Sequence, residues 1–169
     1  RSTAEEALVY LYIKSRSAEN EEYMDMVNRF VASFPKNAEG YLRRATPLID
    51  LTRFDEAAQD MAQYLSLVED KAAGHYNVAS LIFDKLRLQP EPAYEQWTIE
   101  TAIEYVEKAL QLNAAKPASD QQKDEYVKCQ TLKAQMLMEK KDYDAAINLY
   151  EDLLQGGGSA APAYLYAIS

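Results

Sequence analysis

Residues 45–65 are ATPLIDLTRFDEAAQDMAQYL, and residues 134–154 are AQMLMEKKDYDAAINLYEDLL. Each stretch begins with an alanine, has a second alanine twelve residues later, and has an aromatic residue three positions before that second alanine. These residues are Ala45, Ala57 and Phe54 in the first stretch and Ala134, Ala146 and Tyr143 in the second. Apolar residues otherwise recur at spacings of three and four, as in an amphipathic helix. The two stretches therefore predict two copies of one helical unit.

The paired alanines predict how the two helices of each unit pack. Antiparallel helices approach closely only where the facing side chains are small, and one alanine on each helix meets that need. A tight turn has to join the helices, at Leu51–Phe54 in one copy and at Glu139–Asp142 in the other. A lone hairpin cannot bury its apolar stripe, so we expect each hairpin to stack on a neighbour.

A third copy lies between the other two and carries an insertion. Ala79 and Ala102 take the alanine positions, and 11 additional residues separate them. We interpret the insertion as longer helices rather than as a loop. Pro92 is expected at the first position of the second helix, where proline is well tolerated. Tyr94 and Trp97 would then continue the apolar face of that helix.

The last third of the chain predicts one more hairpin and the start of another. Ser119–Gln122 has the spacing of a capping box, so a helix should begin there and run to about Lys141. Gly156–Ser159 is expected to be a turn between repeats, with an engineered linker as the alternative. Ala161–Ser169 then forms the first helix of a repeat whose second helix is missing.

Three segments resemble the tetratricopeptide repeat, a helix–turn–helix unit of 34 residues: His75–Ala79, Ala102–Leu112 and Asp142–Ile147. Two pairs of positions keep a 34-residue register, Tyr41 with His75 and Gln130 with Tyr164. The resemblance implies an all-α fold, a single domain that is a right-handed superhelical array of antiparallel helix hairpins. It places the hairpins at about residues 1–37, 38–71, 72–116 (with the insertion) and 119–160, with a partial repeat at 161–169.

The resemblance also implies a function, protein–protein interaction as a scaffold or adaptor. Such arrays bind a partner protein or peptide in a concave groove that the first helix of each hairpin lines. The groove positions carried over to this sequence are Leu42, Thr46, Ile49 and Asp50; Tyr76, Asn77, Ser80, Phe83 and Asp84; and Lys128, Thr131, Gln135, Met138 and Glu139. Their apolar and aromatic character favours a ligand with an apolar anchor or a helical ligand over an anionic one.

One known use of the family is not expected here. Some members clamp the C-terminal carboxylate of chaperones with lysine, asparagine and arginine side chains from three hairpins. Asn77 and Lys128 fall on matching positions, but Leu42, Thr46 and Leu132 stand where the other charged and polar groups would be needed. The residues that supply most of the positive charge are therefore missing.

Composition excludes some classes of partner. The 27 acidic residues outnumber the 18 basic ones and give a net charge of -9, whereas a nucleic-acid site needs clustered lysine and arginine. The sequence contains no run of 18 apolar residues, so it does not predict a transmembrane helix. The chain begins with Arg1 rather than methionine, so we expect a piece of a longer protein, and its compartment stays open.

The sequence offers little for catalysis, and we expect neither an enzyme nor a bound cofactor or metal. The only histidine, His75, stands at an aromatic packing position. The only cysteine, Cys129, is interpreted as a half-buried thiol, although Lys128 and Lys133 would lower its pKa slightly. One histidine and one cysteine far apart in sequence do not predict a zinc site.

Three alternatives to a scaffold remain open. A self-association module would form homodimers through the apolar residues Tyr164, Leu165, Tyr166 and Ile168 of the partial repeat. A helical protein that binds a glycan or another small ligand would use Tyr76 and Phe83. A non-catalytic part of a larger enzyme would have its active site outside this chain.

Overall fold

The computed structural model describes residues 3–15, 20–88, 97–117 and 119–155. Within these residues the chain forms eight α-helices and no strand, which confirms the all-α prediction. The helices belong to two compact units, unit 1 (Arg1–Glu69) and unit 2 (Asp70–Ser169). In each unit consecutive helices pair as hairpins, consistent with an α-solenoid. One continuous superhelical domain through both units stays a prediction, and Gly156–Ser159 and Ala161–Ser169 lie outside the described residues.

Unit 1 contains four helices: α1 (Ala4–Lys14), α2 (Asn20–Ser33), α3 (Ala38–Asp50) and α4 (Phe54–Leu67). Each helix packs on the next one along the chain. The core beside α1 and α2 consists of Leu11, Tyr23, Val27, Phe30 and Val31. Gly40 lets α3 approach α2, because a Cβ at this position would lie 2.7 Å from the ring of Phe30.

Unit 2 also contains four helices: α5 (Lys71–Leu88), α6 (Ile99–Ala114), α7 (Asp120–Glu139) and α8 (Tyr143–Gln155). Each helix packs on the next, and α5 additionally contacts α7. The contact between α5 and α7 joins the first helices of two successive hairpins. These two helices therefore form a shared surface within unit 2.

The alanines that define the repeat are buried. All six have 0% of their surface exposed: Ala45, Ala57, Ala79, Ala102, Ala134 and Ala146. In each hairpin one alanine lies on the first helix and the other on the second, and the two helices pack against each other. The alanines are thus buried on paired helices, as expected, and their role in letting the helices approach stays a prediction.

Both predicted turns are present and have the same backbone geometry. The N–H of Arg53 donates to the carbonyl of Leu48 over 2.8 Å. The N–H of Thr52 donates to the carbonyl of Ile49 over 2.9 Å. The second turn repeats both bonds, from Asp142 to Leu137 (2.9 Å) and from Lys141 to Met138 (3.0 Å). This arrangement is a Schellman motif, and its left-handed position is occupied by Thr52 (φ 58°) and Lys141 (φ 65°) rather than by glycine.

Replacing Thr52 with glycine is expected to stabilise unit 1 by about 1 kcal/mol, because left-handed backbone is costly for a β-branched residue and readily adopted by glycine. Lys141→Gly should stabilise unit 2 by less, since lysine is not β-branched. The shift of the urea midpoint, followed by circular dichroism, measures both effects. Ala62→Gly at an exposed position of α4 is the control and should lose about 1 kcal/mol. A similar loss for Thr52→Gly would contradict the expected gain.

The second helix of the third hairpin begins later than the sequence predicted. Thr98 caps α6, since its hydroxyl oxygen accepts the N–H of Thr101 over 3.2 Å, and the helix begins at Ile99. Trp97 therefore precedes the helix, and the prediction that it continues the helical apolar face is wrong. Trp97 is nevertheless buried, with 8% of its surface exposed. The two other residues assigned to that helix lie outside the described residues: Pro92 and Tyr94.

The first helices of the third and fourth hairpins are longer than that of the second, and this accounts for part of the inserted sequence. α5 has 18 residues and α7 has 20, compared with 13 in α3. α7 begins at Asp120, as predicted from the capping-box spacing. It ends at Glu139, two residues before the predicted Lys141, because the positive φ of Lys141 belongs to the turn.

Candidate functional site

A cavity of about 210 Å³ in unit 2 lies between the first half of α5, the end of α6 and the first half of α7. α5 contributes two alanines, a tyrosine and an asparagine; α6 contributes an asparagine; and α7 contributes a carboxylate, an ammonium group and a thiol. The lining residues are Ala72, Ala73, Tyr76, Asn77, Asn113, Glu125, Lys128 and Cys129. The cavity therefore combines small apolar surface with a few polar groups, as binding sites commonly do.

Asp70 and Lys116 connect the three helices that form the cavity. One carboxylate oxygen of Asp70 caps α5 by accepting the N–H groups of Ala72 (3.0 Å) and Ala73 (3.1 Å). The other accepts a hydrogen bond from Lys116 Nζ over 2.7 Å, and Lys116 also donates to Glu125 on α7 over 2.6 Å. The bond from Lys116 lowers the pKa of Asp70. Burial alone would lower the pKa of Lys116, but its hydrogen bonds to Asp70 and Glu125 raise that pKa, and the net shift is upward.

The inner wall of the cavity, formed by Cys129, Tyr76 and Asn113, is uncharged at neutral pH. Burial of Cys129 raises the pKa of its thiol to about 11, and the nearby charge of Glu125 acts in the same direction. Lys128 lowers the pKa of Cys129, as expected, but burial has the larger effect and the net shift is upward. Burial also raises the pKa of Tyr76. The wall is completed by Asn113, whose side chain is fully buried.

Lys128 provides the positive charge of the site. Its side chain is exposed, so it marks the solvent side of the cavity. Among the described lining residues Glu125 is the only carboxylate, and it is bound to Lys116. Among the described residues Lys128 itself has no ion-pair partner. A ligand at the cavity therefore meets one cation that is not held in an ion pair.

The structure brings together three of the fourteen predicted groove residues: Tyr76, Asn77 and Lys128. The assignment of Ile49 and Phe83 to a groove is wrong, because they are 0% and 1% exposed. Each lies four residues after a buried alanine, Ala45 or Ala79, and so shares the buried face of its helix. The other nine are partly or fully exposed and lie outside the cavity lining, and their role stays a prediction: Leu42, Thr46, Asp50, Ser80, Asp84, Thr131, Gln135, Met138 and Glu139.

Five lining residues were not predicted: Ala72, Ala73, Asn113, Glu125 and Cys129. Helical spacing could have found three of them. Ala72 and Ala73 lie four residues before Tyr76 and Asn77 on α5, and Glu125 lies three residues before Lys128 on α7. Asn113 carries no such signal, because its place depends on how the end of α6 meets α5 and α7. Sequence spacing within one helix does not contain that information.

The environment of His75 supports its interpretation as a packing residue. Its ring centroid lies 6.0 Å from that of Tyr105, and its Nδ1 is 2.7 Å from the carbonyl oxygen of Lys71. In the part of the chain that the structure describes, no three histidine, cysteine, aspartate or glutamate side chains are placed to hold a metal ion. None of the described helices has the length and apolar character needed to cross a bilayer.

No protein-family model and no curated protein matches the chain. Among solved structures, the MamA RS-1 ArsTM double mutant is similar over 90% of this chain and 93% of its own, with 14% sequence identity and a TM-score of 0.39. A TM-score this low does not support a conclusion about the present chain.

Proposed function

We propose that the chain is a protein-interaction module, a scaffold or adaptor that binds a partner protein or peptide through the first helices of its hairpins. One observation carries the proposal. Three residues that the repeat register assigns to a binding groove, Tyr76, Asn77 and Lys128, line a cavity between α5, α6 and α7. The predicted groove residues of α3, Leu42 and Thr46, belong to unit 1 and stay a separate prediction.

The size of the cavity favours a protein partner over a free small molecule. Sites for small molecules and cofactors usually enclose about 300–1,000 Å³, whereas this cavity encloses about 210 Å³. A protein partner needs only one side chain in the cavity and gains its remaining contacts on the surrounding helix surface. A small-ligand function is the second candidate, because the cavity adjoins the predicted ligand residue Tyr76.

The interaction function is tested by affinity capture with a matched pair of charge reversals on α7. Lys128→Glu changes a residue of the cavity, and Lys123→Glu changes an exposed lysine of the same helix outside the lining. We expect the native chain and the Lys123→Glu variant to capture at least one protein from an extract of the cells that naturally make this chain. The same protein should be lost with Lys128→Glu, because a reversed charge at an interface weakens association.

Calorimetry with the purified partner and the native chain then has to reproduce the binding and its dependence on Lys128. The interaction function at this site is rejected when every captured protein binds both variants equally. Thermal melting in the presence of a protein-free extract tests the second candidate. A rise in melting temperature that the Lys128→Glu variant lacks would favour a small ligand over a protein.

A further inference from the structure

We propose that the unit 2 cavity receives one large apolar side chain of the partner, of the size of leucine, methionine or phenylalanine, and that an acidic residue beside it pairs with Lys128. The proposal rests on the interaction function given above and specifies the chemistry of the ligand. It predicts a short acidic segment with a single apolar anchor residue.

The volume of the cavity sets the size of the anchor. An apolar cavity of about 150 Å³ in a protein accommodates one benzene molecule. The present cavity, at about 210 Å³, is somewhat larger and fits one large side chain but not two. The small side chains of Ala72 and Ala73 leave this space open on the α5 side.

The wall of the cavity sets the polarity of the anchor. Cys129 is 4% exposed, and its pKa of about 11 keeps the thiol neutral at physiological pH. Tyr76 contributes an aromatic ring whose hydroxyl is also neutral, since burial raises its pKa. A charged side chain would lose its hydration against these two uncharged groups. An apolar side chain would instead gain from the removal of its surface from water.

Charge complementarity determines which type of residue should stand next to the apolar anchor in the partner. Lys116 Nζ lies 2.6 Å from Glu125 and 2.7 Å from Asp70, so these two carboxylates share Lys116 and do not pair with Lys128. Lys128, at the exposed side, has no ion-pair partner among the described residues. An acidic residue next to the anchor would pair with it, whereas a basic residue would be repelled.

A library of random 12-residue peptides displayed on phage, panned against the full chain, tests the proposal. We expect the enriched peptides to share one Phe, Leu or Met next to Asp or Glu. Fluorescence polarisation of a labelled enriched peptide should show binding weakened about 30-fold when its anchor is changed to alanine, as at a buried anchor residue. Lys128→Glu should weaken it about tenfold, and less at high salt, whereas Lys123→Glu should leave it unchanged.

Two further measurements place the peptide in the cavity. Ala73→Leu fills the cavity from α5 and should weaken binding about 30-fold, with circular dichroism confirming that the variant folds. Cys129 is the only cysteine, so protection of this thiol from iodoacetamide at pH 9.5 reports occupancy of the cavity. The bound peptide should slow the reaction at least several-fold.

The proposal is overturned when panning yields no binder, when the enriched peptides lack the apolar–acidic pair, or when binding neither protects Cys129 nor depends on the peptide anchor. Its failure is distinguishable from failure of the interaction function. If a cellular partner requires Lys128 but binds the Ala73→Leu variant normally, the apolar-anchor proposal is wrong and the interaction function still holds. Absence of any Lys128-dependent partner would reject the interaction function itself.

Discussion

Replacing Arg44 with methionine is expected to lower the free energy of unfolding of unit 1 by about 3 kcal/mol. Arg44 on α3 forms a two-pronged ion pair with Asp60 on α4, with Nε 2.7 Å from one carboxylate oxygen and Nη2 2.7 Å from the other. The Asp60 side chain is only 6% exposed. Methionine keeps much of the apolar stem but leaves a buried carboxylate without its cation. Removal of one partner of a buried pair is costly for that reason.

Arg53→Met is the matched control for this prediction. Arg53 holds Glu56 with the same two-pronged geometry, at 2.7 and 2.6 Å, but both side chains are about half exposed. Exposed ion pairs contribute little to stability, so the urea midpoint should hardly change. The double variant Arg44→Met/Asp60→Leu should recover most of the stability, because no unpaired charge remains buried. Equal losses for Arg44→Met and Arg53→Met would show that burial of Asp60 does not matter.

The sequence predicted the features of the fold that depend on neighbours within one hairpin. The alanine spacing indicated the close approach of paired helices, and the two turns lie where the spacing placed them. The start of α6 was missed because its cap, Thr98, lies inside an insertion that has no counterpart in the other copies. The pair between Arg44 and Asp60 was missed as well, since its residues lie on different helices.

The candidate site was predicted only in part, for reasons of geometry. The repeat register found Tyr76, Asn77 and Lys128, which lie on first helices and face the cavity. It also selected Ile49 and Phe83, although helical spacing places both on the buried face with the alanines. The pKa of Cys129 was misjudged from nearby lysines, because burial, which dominates it, cannot be read from adjacent residues.

Replacing Ala57 with leucine is expected to destabilise unit 1 by about 2–3 kcal/mol, because the larger side chain overfills a tightly packed helix contact. Ala57 on α4 is 0% exposed, and so is its counterpart Ala45 on α3. Intrinsic helix propensity does not explain such a loss, since leucine is nearly as good a helix former as alanine. The cost would come from the separation of α3 and α4 or from strained side-chain conformations.

Ala62→Leu in the same helix separates packing from propensity, because Ala62 is exposed. It should change stability by less than about 0.5 kcal/mol. Ala146→Leu on α8 tests the repeat itself, since Ala146 occupies the position equivalent to Ala57 and is also 0% exposed. Urea unfolding followed by circular dichroism reports the helices of both units, whereas fluorescence of Trp97, the only tryptophan, reports unit 2, so the two signals together separate the units. If the alanines exist to let helices approach, both buried substitutions must cost a similar amount; a tolerated leucine at either one would mean that its hairpin does not need a small residue there.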